Sequence, residues 1–185
     1  MGTIFVDNLE PQSGTTLTLG ASGDTLTIPS GCTITNSGTA NGFGKIGQVV
    51  QATTSSEVTN TSASYADTGL SASITPTSTS SKVLVLCSVS ANMGTGGDIY
   101  MASFFNILRG STQITEYGNR VRSGAGGTSD ESGASISLQY LDSPSTTSAT
   151  TYKVQQRVET AGNSRSTVSQ FNSKASNMIL MEILD

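Results

Sequence analysis

The sequence contains no histidine and no tryptophan, and it has only two cysteines and four prolines among its 185 residues. The absence of histidine excludes His-based nucleophilic catalysis and removes a principal ligand of zinc sites. Cys32 lies in a turn-rich stretch and Cys87 in an apolar run, so a bridge between them is unsupported and we interpret both as small hydrophobic residues. We therefore predict no catalytic residues, no metal site and no cofactor.

Charge is also scarce, since Asp, Glu, Lys and Arg make up 12% of the chain and the net charge is -4. No basic cluster is dense enough to neutralise a series of phosphates, so we predict no nucleic-acid partner. No apolar run approaches the length of a membrane span, so we predict no membrane insertion. The first residues lack the basic start and apolar core of a signal peptide, and we expect synthesis in a cytoplasm and export, if any, by another route.

Hydroxyl side chains are abundant, with 30 serines and 27 threonines. This composition is typical of β-rich chains whose outward positions are hydroxyls, and residues 65–185 contain seven or eight strand-like segments separated by turn residues. The fold class that we predict is therefore all-β, with an antiparallel β-sandwich or jelly roll. Lys82–Val89 is a nearly continuous apolar run after its lysine and is predicted to be a strand buried on both faces. Thr151–Val158 alternates, and its predicted inward side chains are Tyr152, Val154, Gln156 and Val158.

In residues 15–37, aliphatic side chains alternate with threonine in a short repeat, which predicts strands with one apolar face. Turns are predicted at Gly20–Asp24 and Pro29–Cys32. Five buried aliphatic side chains, at roughly 2 kcal/mol each, cannot offset the ordering of about 20 residues at about 1.5 kcal/mol each. Partner chains must cover this face, so we predict an intertwined homotrimeric β shaft; the alternative is the edge of a monomeric β-sandwich. The predicted shaft core consists of Leu17, Leu19, Leu26, Ile28 and Ile34.

The changes in composition divide the chain into four predicted segments. They are an N-terminal attachment segment at 1–12, the repeat shaft at 13–37, a Gly-rich neck at 38–47 and a β-sandwich head at 48–185. The apolar tip of the first segment is either a first strand of the trimer or a contact with a larger assembly. The residues predicted to make that attachment are Ile4, Phe5, Val6 and Leu9.

The second half of the chain resembles a domain of tailed-phage fibre and other virion proteins, many of them marine. The resemblance covers 65–185 and rests on the order of several short motifs: YADTGLSASITP (65–76), SSKVLV (80–85), LRGS (108–111), YLDSPST (140–146), TYKV (151–154) and ILMEI (179–183). The N-terminal repeat is also similar to the thin shafts of such fibres. This resemblance implies a trimeric jelly-roll head on a shaft, similar to the heads of complement C1q and tumour necrosis factor, without catalytic residues.

Few residues in the sequence are candidates for catalysis or ligand binding. Asp130 and Glu131 form the one adjacent acidic pair, but glycoside hydrolysis needs two carboxylates facing each other about 5–10 Å apart. Neighbours on a Gly-rich loop lack that geometry, so we predict that the protein is not an enzyme. Arg120 and Arg122 would project from one face, which by default is solvated. The predicted receptor contacts are Tyr117, Arg120, Arg122, Asp130 and Glu131.

The favoured hypothesis is a virion fibre or spike that presents a host-recognition head. The alternatives are a capsid decoration or head-fibre protein without a receptor role and, less favoured, a polysaccharide-degrading tailspike-like enzyme. The predicted partners are two further copies of the chain, other virion proteins and a host surface glycan or protein. The hydroxyl-rich loops suit a glycan, and a trimer multiplies weak sites through avidity; a protein receptor fits equally well.

Overall fold

The computed structural model describes residues 11, 13–33, 35, 46–95, 100–122, 130–161 and 165–184, with backbone alone at 95, 100, 101, 119–122, 130 and 131. The chain divides into two compact units, Met1–Gly42 and Phe43–Asp185. Within the described residues, the second unit has ten strands and one 3-10 turn. The strands are β1 (Ile46–Thr54), β2 (Val58–Asn60), β3 (Ala66–Ile74), β4 (Lys82–Thr95), β5 (Tyr100–Arg109), β6 (Thr112–Arg122), β7 (Asp130–Asp142), β8 (Thr150–Val158), β9 (Ser166–Ser169) and β10 (Ser176–Ile183), and the turn is Phe171–Ser173.

These strands form two antiparallel sheets packed face to face. In the larger sheet, β1 pairs with β10 and β10 with β4, while β4 also pairs with β7 and with the short β9–β2 pair. The smaller sheet has the order β3-β8-β5-β6. Without the short strands β2 and β9, the larger sheet has the order β1-β10-β4-β7 and the smaller sheet the order β3-β8-β5-β6. When these eight strands are numbered along the chain, the two orders become 1-8-3-6 and 2-7-4-5. This order is that of a jelly roll, so the predicted fold class is confirmed for the head.

The core lies between the sheets and follows the period-2 alternation of the strands. In β8 every second residue from Thr150 to Val158 is buried, which confirms the predicted inward set. In β4, by contrast, Val83, Val85, Cys87 and Val89 face the core, whereas the intervening leucines and serine are only half-buried. The prediction that this strand is buried on both faces is therefore wrong, because its second face lies on the outside of the larger sheet.

A buried ion pair joins the two sheets at the end where β4 begins. Asp142, at the end of β7, accepts two hydrogen bonds of 2.9 Å from Nη1 of Arg109, at the end of β5. Tyr152 of β8 donates its hydroxyl proton to the same carboxylate at 2.6 Å, and its ring is fully buried. Burial raises the pKa of the Tyr152 phenol, and the neighbouring Asp142 carboxylate raises it further. The three side chains come from both sheets, so they hold the two layers together.

A second carboxylate, Glu182 of β10, is fully buried at the same end of the sandwich. Thr77 donates to it from its backbone N–H at 2.6 Å and from its hydroxyl at 2.7 Å, and Nε2 of Gln48 donates at 2.7 Å. Burial alone would raise the pKa of Glu182, but these hydrogen bonds favour the ionised form and lower the pKa to about 2. The carboxylate thus ties β1 and the loop after β3 to β10.

The opposite end of the core is polar. Gln156 of β8 is fully buried; its Nε2 donates to the carbonyl of Val58 at 2.8 Å, and its Oε1 accepts from the Ser169 hydroxyl. Asn60 donates to the carbonyls of Gln156 at 2.7 Å and Ser64 at 3.0 Å. The side-chain nitrogen of Asn60 is therefore engaged inside the fold, although Asn60-Thr61-Ser62 matches a glycosylation triplet. These amides fix the short β2–β9 pair to the smaller sheet.

In the N-terminal unit, both predicted turns are present. The N–H of Asp24 donates to the carbonyl of Ala21 at 3.1 Å, and the N–H of Cys32 donates to that of Pro29 at 3.2 Å, which confirms the turns. Gly20, Gly23 and Gly31 have φ angles of 84°, 94° and 89°, values that glycine adopts without strain. Residues 13–33 and 35 form no strand within the single chain. The predicted β shaft would be formed by hydrogen bonds between strands of different chains, so it stays a prediction.

Candidate interface and recognition surfaces

The outer face of the larger sheet carries an apolar row that crosses four strands. In register, Val49 of β1 pairs with Met181 of β10, Met181 with Leu84 of β4, and Leu84 with Leu141 of β7. Val49 is 56% exposed and Leu141 is 50% exposed, while the two central side chains are half-buried. Side chains in register on adjacent strands are neighbours, so the four form one continuous stripe.

The character of this face changes along the strands. The row next to the apolar stripe combines Ile179 and Leu86 with a glutamine on either side. The row after that is wholly polar and consists of Thr53, Asn177, Ser88 and Ser137. The apolar area is therefore confined to the end where β1 and β4 begin, and Ile46, which is 54% exposed, extends it there. A bounded apolar patch with a polar surround is typical of a protein interface.

On the outer face of the smaller sheet, a charged side chain covers two aromatic rings. The guanidinium of Arg157 lies over Phe104, 4.2 Å from the ring centre, and over Tyr65 at 5.2 Å. Arg157 also pairs with Glu116 at 3.1 Å. A charged side chain that lies flat on an aromatic ring shields it from water and is itself stabilised by the ring. The stripe on the larger sheet lacks such a cover among the described residues, which makes that sheet the better candidate for contact with another chain.

The N-terminal unit presents a second apolar surface. Four of the five predicted shaft residues are described, and all four are exposed: Leu17 by 42%, Leu19 by 58%, Leu26 by 66% and Ile28 by 43%. Ile34 lies outside the described residues, as do the predicted attachment residues Ile4, Phe5, Val6 and Leu9. Their assignments to the trimer core and to virion attachment stay predictions.

The predicted receptor contacts lie in strands β6 and β7. The backbone register places Arg120 opposite Ala102, Arg122 opposite Tyr100, Glu131 opposite Gly94 and Asp130 opposite Thr95. All four positions therefore lie at the end of the sandwich away from the apolar stripe, although β6 and β7 belong to different sheets. The side chains of these four residues are outside the described set, so their part in receptor binding stays a prediction.

The side chain of Tyr117 is described, and it makes contacts within the fold. It is half-buried, packs against the core and donates its hydroxyl proton to the main-chain carbonyl of Gln139. The bond links β6 of the smaller sheet to β7 of the larger one. Contact with a ligand through this hydroxyl would require the link to break, so Tyr117 has a structural role in the free protein.

Sequence reasoning did not identify the buried Arg109–Asp142–Tyr152 cluster, although a signal for it was present. Arg109 lies in the LRGS motif, Asp142 in YLDSPST and Tyr152 in TYKV, three of the stretches that carry the family resemblance. Glu182 similarly lies in ILMEI. These motifs encode polar contacts that hold the sandwich together, as their positions in the structure show.

The described residues contain no group of three or more His, Cys, Asp or Glu side chains that could hold a metal ion. Both cysteines are free; Cys32 is exposed, whereas Cys87 is buried, and burial raises its thiol pKa to about 12. Across the same part of the chain, there is no helix with the length and apolarity needed to cross a membrane.

No protein-family model matches the sequence, and a search of curated proteins also finds no match. Among solved structures, the chain aligns with that of infectious bursal disease virus strain Gt, at 10% identity and a TM-score of 0.31 over 75% of this chain and 38% of the viral one. The T13 particle of the virus aligns at 9% identity and a TM-score of 0.33, over 75% and 36% of the two chains. The chain thus spans little more than a third of the viral proteins, and alignments with such TM-scores assign neither a family nor a function.

Proposed function

We propose that this chain is a virion structural protein, a fibre or spike of a tailed phage, which assembles as a homotrimer and presents a host-recognition head. The observation that carries the proposal is the apolar stripe of the larger sheet, Val49, Met181, Leu84 and Leu141. It adds a second uncovered apolar surface to that of the N-terminal unit. The resemblance of residues 65–185 to fibre and virion proteins supports the virion role.

A second copy of the same chain is the partner that fits the stripe best. The stripe has no charged member, and in a trimer three identical apolar stripes can converge on the three-fold axis and cover one another there. Leu141 has half of its surface in water. Removing that half would contribute about 1 kcal/mol per side chain, and the contribution recurs in every copy.

The oligomeric state tests this assembly. Light scattering of the wild-type protein is expected to give the mass of three 19.0-kDa chains. L141D places a charge in the stripe and should shift the protein towards smaller species at micromolar concentration, and combining it with L19S and L26S should yield monomers. S71D is the matched control, since Ser71 is an exposed outward residue of the smaller sheet. A wild-type protein that scatters as a monodisperse 19.0-kDa species would contradict the trimer.

The two ends of the head have different proposed tasks. Ile46, where β1 begins, pairs with Ile183 of β10, which in turn pairs with Lys82 at the start of β4, whereas Thr95 and Asp130 pair at the other end of β4. Since β4 has 14 residues, the two ends are roughly 45 Å apart. We propose that residues 1–12 attach the chain to the virion and that the end of the head where β4 finishes contacts the host. Deleting residues 1–10 should abolish incorporation into particles and preserve host adsorption by the soluble protein; normal incorporation would contradict the attachment role.

Two other functions are distinguishable from a receptor-binding fibre. Labelling the protein on intact virions should place it on the tail or on fibres, whereas label scattered over the capsid facets would favour a decoration protein. Incubation with host polysaccharide should release no oligosaccharide. Reproducible release would overturn the proposal that the protein is not an enzyme.

A further inference from the structure

A shallow, open cleft of about 330 Å³ lies between β4, β7 and the segment that follows β9. Ser90 and Ser135, which face each other in the register of β4 and β7, line one side together with the bare backbone of Gly133. Phe171, Asn172 and Lys174 line the other side. This volume is at the lower end of the range for small-molecule sites and is sufficient for one or two sugar rings.

The side of the cleft formed by residues 170–174 is held in an unusual backbone conformation. Gln170, Asn172 and Ser173 have φ angles of 55°, 53° and 56°, in the left-handed region, although none of them is glycine. Each such residue costs on the order of 1 kcal/mol or more, and strained backbone of this kind clusters at ligand sites. The contacts around the segment must therefore offset this cost in the folded protein.

These contacts are specific and come from several elements. The N–H of Gln170 donates to the carbonyl of Ser90 at 2.7 Å, and the N–H of Asn172 donates to Oε2 of Glu57 at 3.0 Å. The side chain of Gln170 is fully buried, and its amide nitrogen donates to the carbonyls of Ser56 and Thr68 at 3.0 Å. Its amide oxygen accepts from the hydroxyl of Ser176, which in turn accepts from the N–H of Ser90. Hydrogen bonds from several elements thus hold the segment 170–174 in place beside the cleft.

The chemistry of the lining selects a class of ligand. The Ser90 hydroxyl and the Asn172 amide supply donors and acceptors, the Ser135 hydroxyl, which is bonded to that of Ser88 at 2.9 Å, keeps further acceptor capacity, and Phe171 supplies an aromatic surface. Lys174 is exposed and has no carboxylate partner among the described residues. No lining residue is acidic, although the Glu57 carboxylate accepts the N–H of the lining residue Asn172 at 3.0 Å. Hydroxyl and amide groups beside an aromatic ring suit a sugar, and the unpaired ammonium group favours one that carries a carboxylate.

We propose that this cleft is a binding site for an acidic sugar residue of a surface glycan. Its role in the host interaction rests on the proposed function, but binding itself does not. Ser90 and Ser135 lie six residues along their strands from Leu84 and Leu141, about 20 Å from the apolar stripe. A copy docked on the stripe therefore leaves room for a ligand, and three clefts in one trimer would act together.

Saturation-transfer NMR with the full-length protein tests the site. The probes are the methyl glycosides of glucuronic acid and glucose, which differ only in the carboxylate at the sixth carbon. We expect the acidic probe to bind more tightly than the neutral one. K174Q should weaken binding of the acidic probe about five- to tenfold and leave the neutral probe unchanged, because only the acidic probe makes the charge-assisted contact.

Two further variants locate the site. K82Q removes a similarly exposed lysine at the start of β4, far from the cleft, and should change neither probe. S135L fills the cleft from an exposed position and should abolish binding of both probes without changing the thermal unfolding temperature.

Absence of saturation transfer to either probe, or unchanged binding in S135L, would overturn the site. Equal binding of the two probes in the wild type would overturn the carboxylate preference. Sugar binding that is lost in S135L while that variant still adsorbs to host cells would contradict a role of the cleft in host recognition and leave the site in place. A wild-type protein that binds the acidic probe but does not adsorb to host cells would contradict the proposed recognition function. The failures of the site and of the function are therefore separable.

Discussion

Replacing Asp142 with asparagine should destabilise the head strongly, because its carboxylate is the common acceptor of a buried cluster. The side chain is 7% exposed; it accepts two bonds of 2.9 Å from Arg109 and one of 2.6 Å from Tyr152. Removing one partner of a buried ion pair typically costs 3–5 kcal/mol. Since the Arg109 side chain is 33% exposed and can regain water, we expect a loss of about 3 kcal/mol in the free energy of unfolding.

A double-mutant cycle separates the contributions of the cluster. Y152F removes the buried hydroxyl and should cost about 1.5–3 kcal/mol, the value of a hydrogen bond to a charged group. Because both variants remove the same bond, D142N/Y152F should cost less than the sum of the single changes, with a coupling energy on the order of 1 kcal/mol. The measurement is urea unfolding at one fixed protein concentration, which keeps any contribution from assembly constant.

The matched control is D67N on the outer face of the smaller sheet. Asp67 also pairs with a cation, Lys153, at 3.0 Å, but its side chain is 54% exposed. Exposed ion pairs contribute about 0–1 kcal/mol, so D67N should have a small effect. A cost for D142N as small as that for D67N would refute the conclusion that the buried cluster holds the two sheets together.

Two other contacts give further predictions. The pKa of Glu182 is lowered from its ordinary value of 4.5 to about 2, so the ionised carboxylate stabilises the fold fully above pH 4.5, and this stabilisation is lost as the pH falls towards 2. The difference in unfolding free energy between wild type and E182Q should therefore shrink between pH 4.5 and pH 2. A difference that stays constant over this range would contradict the assignment. Q156M should cost about 2–4 kcal/mol, because it leaves the Val58 carbonyl and the Ser169 hydroxyl without their partner. Hydrogen exchange should then accelerate in β2, with β6 as the internal reference, and equal protection of β2 in both proteins would argue against the role of Gln156.

The alternation of residues along single strands was accessible from the sequence because side chains on a strand point to opposite faces in turn. This regularity predicted the inward set of β8, including the polar Gln156, and the β-sandwich class. The turns of the N-terminal repeat were also local, since each is made by a glycine and a hydrogen bond spanning three residues. None of these features depends on which strands become neighbours.

The tertiary structure decided which faces are covered and which distant side chains meet. The run Lys82–Val89 predicts burial on both faces, and this prediction is wrong because the position of β4 in the larger sheet leaves Leu84 on the outside. Arg109, Asp142 and Tyr152 meet because the jelly-roll order brings the ends of β5, β7 and β8 together. The cleft lined by Ser90, Ser135 and Lys174 likewise requires β4, β7 and the segment after β9 to converge. Burial and contact between distant strands depend on strand order, which period-2 alternation does not specify.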